Sequence, residues 1–498
     1  MKAFTLQLLV TLGTGVLNGA FVIVLFGVWS PLEHQIRQLI ADALLSTPRS
    51  NEVSFYWSVA TSSMTGAAAL LLLPSAFLME KLGRRPVLFH LSSWLSVAGC
   101  LLVAISSPSV SIWLLVGGRA LIGAGFATGM FGGTFLVECF GESKRIGLFV
   151  TLCYVLVGVF TTVGALLAAP SVMGGEGLWP YTFLIPIPGL VMFSLLGLVL
   201  PESPKHLYQT SRKNAAAQRA SDFYSAGTMD WETRKQQYDA EMRLQQLGQR
   251  GLRRLIPQLW RLPQYRWPML IAVVVSLSNG FSEAGIVENY SVEIITAGNE
   301  TSRDDAALIN GVVIMGSGIV APVLVAVSID WRVTVTVTAY VVGTFMLTAR
   351  YLLLSGAELW LRNTFTVVAL LLCRNSMLVQ LNAITLLLSE AAPQAIRSMC
   401  IMFMATLMLV QGALTIFAYP MVEAHLGVVP FHALCFVVMS VCMLFYWRYT
   451  PETKGKSVAE VARQWLTSPE ASALEEKEEG EPEGAINQED EERKRLMS

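Results

Sequence analysis

An all-α membrane protein of twelve spanning helices, set out as two six-helix halves with cytoplasmic linker helices between them, is what this sequence predicts. Three observations carry that prediction. Of the 498 residues 53% are hydrophobic and only 14% charged, with a mean hydropathy of +0.53, well away from soluble domains. Twelve apolar runs are each close to the roughly 20 residues that a helix needs to cross a hydrocarbon core of about 30 Å. A set of charged and proline-bearing motifs also recurs after about 250 residues.

The first run, 4–29, contains no Asp or Glu and no small-residue cleavage site before Trp29, so it reads as a retained helix. In the loop up to Ser54, Ile36, Leu39 and Ile40 share one face of a small surface helix. Runs two to six cover 55–79, 87–107, 111–136, 147–169 and 180–200, with Lys81, Arg84, Arg85, Lys144 and Arg145 in alternate short loops. From Pro201 to Arg266 twelve bases face six acids, and Leu244, Leu247, Leu252 and Leu255 recur at helical spacing, as in amphipathic helices under a membrane. Runs seven to twelve cover 268–292, 306–328, 333–354, 361–388, 398–420 and 428–448, with Arg332 and Arg397 in loops on the basic side.

An excess of Lys and Arg marks the cytoplasmic face, which places the linker and both termini there. The sequon Asn299-Glu300-Thr301 then lies outside and is the expected glycosylation site, whereas Asn289-Tyr290-Ser291 sits too close to the membrane. The expected domains are 1–200, 201–266, 267–448 and an acidic tail, 449–498. Eleven acids and four bases between 469 and 498 make that tail disordered, either simply solvated or docking a cytoplasmic partner.

All seven cysteines fall in or beside apolar runs, which argues against a disulfide scaffold, and no Cys/His spacing suggests zinc. Overall charge is −1, giving no basic surplus for nucleic acid. With no phosphate-binding loop either, neither an enzyme nor any metal or cofactor is expected.

The internal repeat is specific. Glu138 and Glu390 are 252 residues apart, as are Arg145 and Arg397; Glu202 and Glu452 are 250 apart, and Arg84 and Arg332 are 248 apart. Glu138 and Glu390 close helices and Arg145 and Arg397 open them, each against the local macrodipole. Opposite charges nearby would relieve that cost, so Arg84, Arg85, Glu138, Arg145 and Glu202, with Arg332, Glu390, Arg397 and Glu452, are expected to interlock as a cytoplasmic gate. Loop charges that only set topology are the plain alternative.

Glu80-Lys81-Leu82-Gly83-Arg84-Arg85, Gly118-Arg119, Pro201-Glu202-Ser203-Pro204-Lys205 and Pro451-Glu452-Thr453-Lys454-Gly455 together resemble the sugar porter family of the major facilitator superfamily, the relatives of facilitative glucose transporters. Trp57-Ser58-Val59-Ala60 running to Gly66 resembles the second helix of animal hexose carriers. The resemblance implies a hexose or related small polar solute moved by alternating access around a site between the halves. It also implies that Arg119 is structural and that Tyr290 corresponds to an aromatic lid, an interfacial anchor being the alternative.

At the substrate positions the sequence departs from that family. Helix seven reads Asn279-Gly280-Phe281-Ser282-Glu283-Ala284-Gly285, keeping one amide; no Gln stands near Cys153 or Tyr154; and Gln380, Asn382 and their neighbours replace the helix-ten proline element. The candidate substrate residues are therefore Tyr154, Asn279, Glu283, Tyr290, Arg374, Gln380, Asn382 and Gln411. Glu283 and Arg374 come to similar depths at 1.5 Å per residue and could pair. Asn18 and Asn310 are lone amides with packing as an equal reading.

Proton-driven members of the family place an Asp in helix one, and its lack here implies passive uniport; the resemblance, with the sequon at Asn299, implies the plasma membrane. Three other readings stay open: an organic-anion carrier using Arg374, a proton-coupled symporter in which Glu283 titrates, and a non-transporting nutrient sensor. The expected partners are a small-molecule substrate and the lipid bilayer.

Overall fold

A computed structural model gives the structure at residues 5–14, 27–48, 50–106, 111–140, 146–210, 212–225, 230–239, 263–296, 301–327, 341–349, 358, 360–374 and 394–449. No strand occurs among the described residues. In chain order the helices are α1 (Thr5–Thr14), α2 (Glu33–Leu44), α3 (Asn51–Leu82), α4 (Ser92–Ala104, entered through a π turn at Pro86–Leu91), α5 (Ile112–Gly129), α6 (Gly132–Phe140), α7 (Ile146–Leu167) and α8 (Ile187–Val199). There follow α9 (Pro204–Gln209), α10 (Asn214–Ser225), α11 (231–239), α12 (Pro263–Phe281), α13 (Ala284–Thr296), α14 (Arg303–Val327), α15 (341–349), α16 (360–374), α17 (Gln394–Leu426) and α18 (Val429–Tyr449).

Seven helical stretches among the described residues are long and apolar enough to cross a membrane: Asn51–Leu82, Pro86–Ala104, Ile112–Gly129, Trp179–Val199, Arg266–Thr296, Met399–Leu426 and Val429–Tyr449. Their outer faces show Leu70, Phe77, Trp113, Leu198 and Trp447 to the surroundings, while Arg119, Glu283 and His432 are buried. That apolar exterior suits lipid. Buried hydroxyls such as Ser58, Thr61 and Thr162 bond back to carbonyls one turn earlier, so they need no partner on another helix.

Three departures from the sequence expectation shape the site. The second span runs the full length of α3, because the Ser50 hydroxyl caps its start by accepting from the Val53 amide and Gly83 closes its end with φ +110°. The seventh breaks at Ser282–Glu283 into α12 and α13, with Glu283 at φ +62°. Helix α2 is not a surface helix: Ile36 and Ile40 are fully buried against Val28, Trp29 and Trp57. Its apolar stripe covers one end of the bundle, called the α2 end below.

Among the described residues the halves meet most extensively through α3 on α17 and α7 on α14. Small residues permit such close approach in lipid. Within the N-terminal half, a Cβ on Gly123 would come 2.0 Å from the Met64 carbonyl, so α3 and α5 touch there through backbone.

Candidate functional site

At the end of α3 the chain turns through Gly83, and the backbone amides of Arg84 and Arg85 begin the next helical stretch. Both donate to the Glu202 carboxylate at 3.1 Å, and the Ser203 amide donates to it at 2.8 Å. Glu202 thus caps two helix starts at once, an anion placed where dipole and free N–H groups favour it. The motif around it is built for this. Ser203 is the N-cap of α9 and Pro204 its first residue, pre-set for helix.

The Arg84 guanidinium meets Glu138 through Nε and Nη2, each at 3.3 Å, and its Nη1 donates to the Met79 carbonyl at the C-terminus of α3. The Ser203 hydroxyl donates to Glu138 at 2.6 Å. A β-carbon on Gly83 would lie 2.3 Å from a Glu202 oxygen, so only glycine fits this corner. His206 Nδ1 sits 3.4 Å from Arg84 Nη1, and burial followed by the Arg84 charge pulls its pKa below the ordinary histidine value. Burial pushes Glu202 up, against the pull of the amides that bond it. Arg85 donates to the Leu200 carbonyl, Tyr224 to that of Pro201, and the buried Arg234 to Cys139 and Ser221, which docks α9–α11 under the N-terminal half.

Inside the C-terminal half, charges are paired differently from the expected Glu283–Arg374 couple. Glu283 lies 2.9 Å from His432 of α18, both wholly buried, and Arg374 reaches Glu288 at 3.5 Å. The cause is the break. A left-handed residue between α12 and α13 turns the Glu283 side chain toward α18, and Glu288 presents its carboxylate to α16 instead. Gly280 lets Gln411 lie against α12, where the amide donates to the Leu277 carbonyl next to the break, so Gln411 supports the interruption. Asn310 is buried and its Oδ1 has no partner among the described residues.

A run of aromatic contacts links the halves. Arg119, fully buried and with no hydrogen-bond partner on its three nitrogens among the described residues, stacks on Trp29 at 3.8 Å. Trp29 stacks on Trp57 with centroids 5.2 Å apart, Trp57 meets Tyr290 edge-on, and Tyr290 packs on Tyr419, which touches His432. Tyr290 is buried and donates to the Ile416 carbonyl at 2.9 Å, so it is not an interfacial anchor. At the α2 end Arg37 bonds Glu293 at 2.9 Å, Ser30 meets Ser291 at 3.2 Å and accepts from the Val292 amide, and the Ser171 amide donates to Asp304. Each of these contacts runs from one half to the other, and together they close that end.

The structure brings together Arg84, Arg85, Glu138 and Glu202, while Arg374, Glu283, Tyr290 and Gln411 each have a protein partner. Asn279 is half-buried beside the break. The side chains of Tyr154, Arg145 and Arg397, together with Gln380, Asn382, Arg332, Glu390, Glu452 and Asn299, lie outside the described residues. Sequence reasoning missed His432, Arg37 and Glu293. A lone His in an apolar run and charges at run ends carry no periodic signal.

Against this geometry, the family model described as "Sugar (and other) transporter" matches residues 5–465. Mouse (Mus musculus) solute carrier family 2, facilitated glucose transporter member 9 is 28% identical over 283 residues, 53% of this chain and 50% of that one. The chain spans about half the length of the first curated relatives it matches, or less. Among solved structures, the proton:xylose symporter XylE bound to 6-bromo-6-deoxy-D-glucose superposes with a TM-score of 0.66 at 19% identity, covering 93% of this chain and 99% of that one. The inward open form of the E. coli xylose transporter XylE gives 0.69 at 15% identity, covering 93% and 100%. The fold is that of the major facilitator transporters.

Proposed function

The chain belongs to the sugar (and other) transporter family, and from that premise we propose that it is a facilitative carrier of a hexose or a related small polar solute, working by alternating access. The halves 1–200 and 267–448 rock about a site between them, with α9–α11 in the linker 201–266 bracing the first half. The observation that carries this reading is the set of polar and aromatic contacts that tie the halves together at the α2 end: Arg37–Glu293, Ser30–Ser291 and Trp57–Tyr290. In this reading they are the outer gate in its closed state, and Tyr290 is its lid. The α2 end faces outward, with both termini in the cytoplasm and the plasma membrane as the site of action.

Uniport fits the chemistry around Arg119. The first span has no acid, and the Arg119 guanidinium leans on Trp29 where a titratable carboxylate would otherwise answer it. The Glu288 partner of Arg374 weakens the organic-anion alternative, because a guanidinium already neutralised has less to offer an incoming carboxylate. The Arg84–Glu138–Glu202 cluster holds the inner end of the N-terminal half rigid while it moves. Both gate states must be populated, so they differ by only about a few kcal/mol.

The test is saturable exchange of radiolabelled hexoses, pentoses and polyols by the purified chain in vesicles. Flux that survives collapse of the proton gradient with the potential clamped supports uniport. Absence of saturable flux for all neutral sugars, with flux for an organic anion, overturns the reading.

A further inference from the structure

A long apolar cavity lies on the flank of the C-terminal half, between α12, α17 and α18. It has a volume of about 720 Å³ and follows α17 from Leu426 at the α2 end to Leu407, about 28 Å at 1.5 Å per residue. One leaflet is half of a bilayer about 40–45 Å thick with its headgroups, so this furrow is as deep as a whole leaflet. The last turn of α12, with Leu277 and Phe281, lines it beside the break in the seventh span.

The walls offer nothing to a polar solute. Among the described residues no charged side chain lines them. The three polar ones are already bonded to carbonyl groups: Ser276 donates to Ala272 at 2.8 Å and to Met404 at 3.0 Å, Thr415 to Gln411 and Gly412 at 3.1 Å each, and Gln411 to Leu277 at 3.3 Å. The furrow is open to the side. On its walls Leu277, Val410, Leu414 and Leu434 are 40%, 42%, 62% and 51% exposed, all in stretches long and apolar enough to cross a membrane. It is therefore continuous with the apolar exterior that faces lipid. Lipid tails are as apolar as leucine, so a tail gains no hydrophobic transfer energy by moving in. It gains protein atoms on several sides in place of one, and the lining regains dispersion contacts that it forfeits without partner atoms.

We propose that this furrow is a binding site for one acyl chain of a phospholipid in the leaflet at the α2 end, held by packing alone and lying against the last turn of α12. A flexible chain can follow so long and narrow a space, whereas the rigid ring system of a sterol cannot. Leu426 and Pro430, both exposed, mark the mouth at headgroup level. The bond from Gln411 to the Leu277 carbonyl, which supports the break, then lies under hydrocarbon instead of water, where a hydrogen bond is electrostatically stronger.

The test needs no transported substrate. The full-length protein is reconstituted in nanodiscs with phosphatidylcholine bearing a diazirine in mid-chain, extracted into detergent to strip loosely held lipid, illuminated, and digested for mass spectrometry. Adducts around Leu277 and Leu434 should exceed severalfold those around Leu198, a 64% exposed leucine on α8 in the other half. Leu414→Trp and the half-buried Ala418→Trp fill the furrow. Each should lower the adducts around Leu277 and Leu434 severalfold and leave those around Leu198 unchanged, which also identifies a folded variant; Leu414, being exposed, accepts the larger ring without entering the core. Furrow adducts no more abundant than those around Leu198, or undiminished in both filled variants, overturn the proposal. So does labelling of these walls by a diazirine sterol and not by the acyl probe.

Discussion

Trp57 of the first half meets Tyr290 of the second edge-on, with ring centroids 6.2 Å apart, and both rings are fully buried. The contact lies in the middle of a column that starts at the Arg119 guanidinium and ends at the Glu283–His432 pair. Closing the α2 end therefore buries a broad aromatic surface together with polar ties at its rim. Aromatic contacts of this kind add about 0.5–1.5 kcal/mol each beyond the area they bury, enough for a few of them to decide a balance between two conformations.

Replacing Gly83 by Ala should destabilise the protein more than the same change at Gly177. Both glycines have positive φ, but at Gly177 nothing lies within 4 Å of the added carbon, whereas at Gly83 it strikes Glu202. The backbone strain common to both is about 1–3 kcal/mol, and the collision at Gly83 adds to it. Thermal unfolding followed by tryptophan fluorescence measures the difference, and equal losses would remove the collision argument.

Glu202→Ala leaves the amides of Arg84, Arg85 and Ser203 without their acceptor. At about 1 kcal/mol for each lost cap, the loss should reach roughly 2–3 kcal/mol. Glu202→Gln keeps an acceptor oxygen and should lose less. Unfolding of both variants, with proteolysis of the linker as a second readout, checks the order.

His206 gives the inner cluster a pH dependence of definite sign. Its Nδ1 can accept from Arg84 only while unprotonated, and its folded pKa lies below the ordinary 6.5. The unfolded chain thus binds the proton first, so this contribution is fully present above pH 6.5 and is lost as the pH falls below it. Unfolding temperature between pH 8 and pH 5 should fall more steeply in the wild type than in His206→Asn.

The Glu283–His432 pair was not legible in the sequence, and its coupling can be measured. Removing His432 alone leaves the buried Glu283 carboxyl without its partner, while replacing both by Gln should cost less than the two single changes added together. Strict additivity in the double-mutant cycle would show that the two side chains do not interact.

How far the sequence reached follows from which features are local. The fold and the cluster around Arg84 are written in contiguous motifs and in a repeat of about 250 residues, so Arg84, Arg85, Glu138 and Glu202 could be grouped before any coordinates. The pairing inside the group could not. Glu138 takes Arg84 and the Ser203 hydroxyl, and Glu202 takes backbone amides, which is a matter of how Gly83 turns the chain. Glu283 and Arg374 were set opposite each other by counting 1.5 Å per residue along an unbroken helix, and one left-handed residue redirects that vector. Arg37 and Glu293 read as separate run-end charges because they meet only after the halves pack.

The most direct measurement is a reversible lock on the α2 end. Ser30 and Ser291, whose hydroxyl oxygens are 3.2 Å apart across the halves, would be replaced by cysteines, and hexose exchange followed in vesicles under oxidant and then reductant. Exchange should stop when the disulfide forms and return on reduction. Undiminished exchange through a fully cross-linked protein would contradict the account.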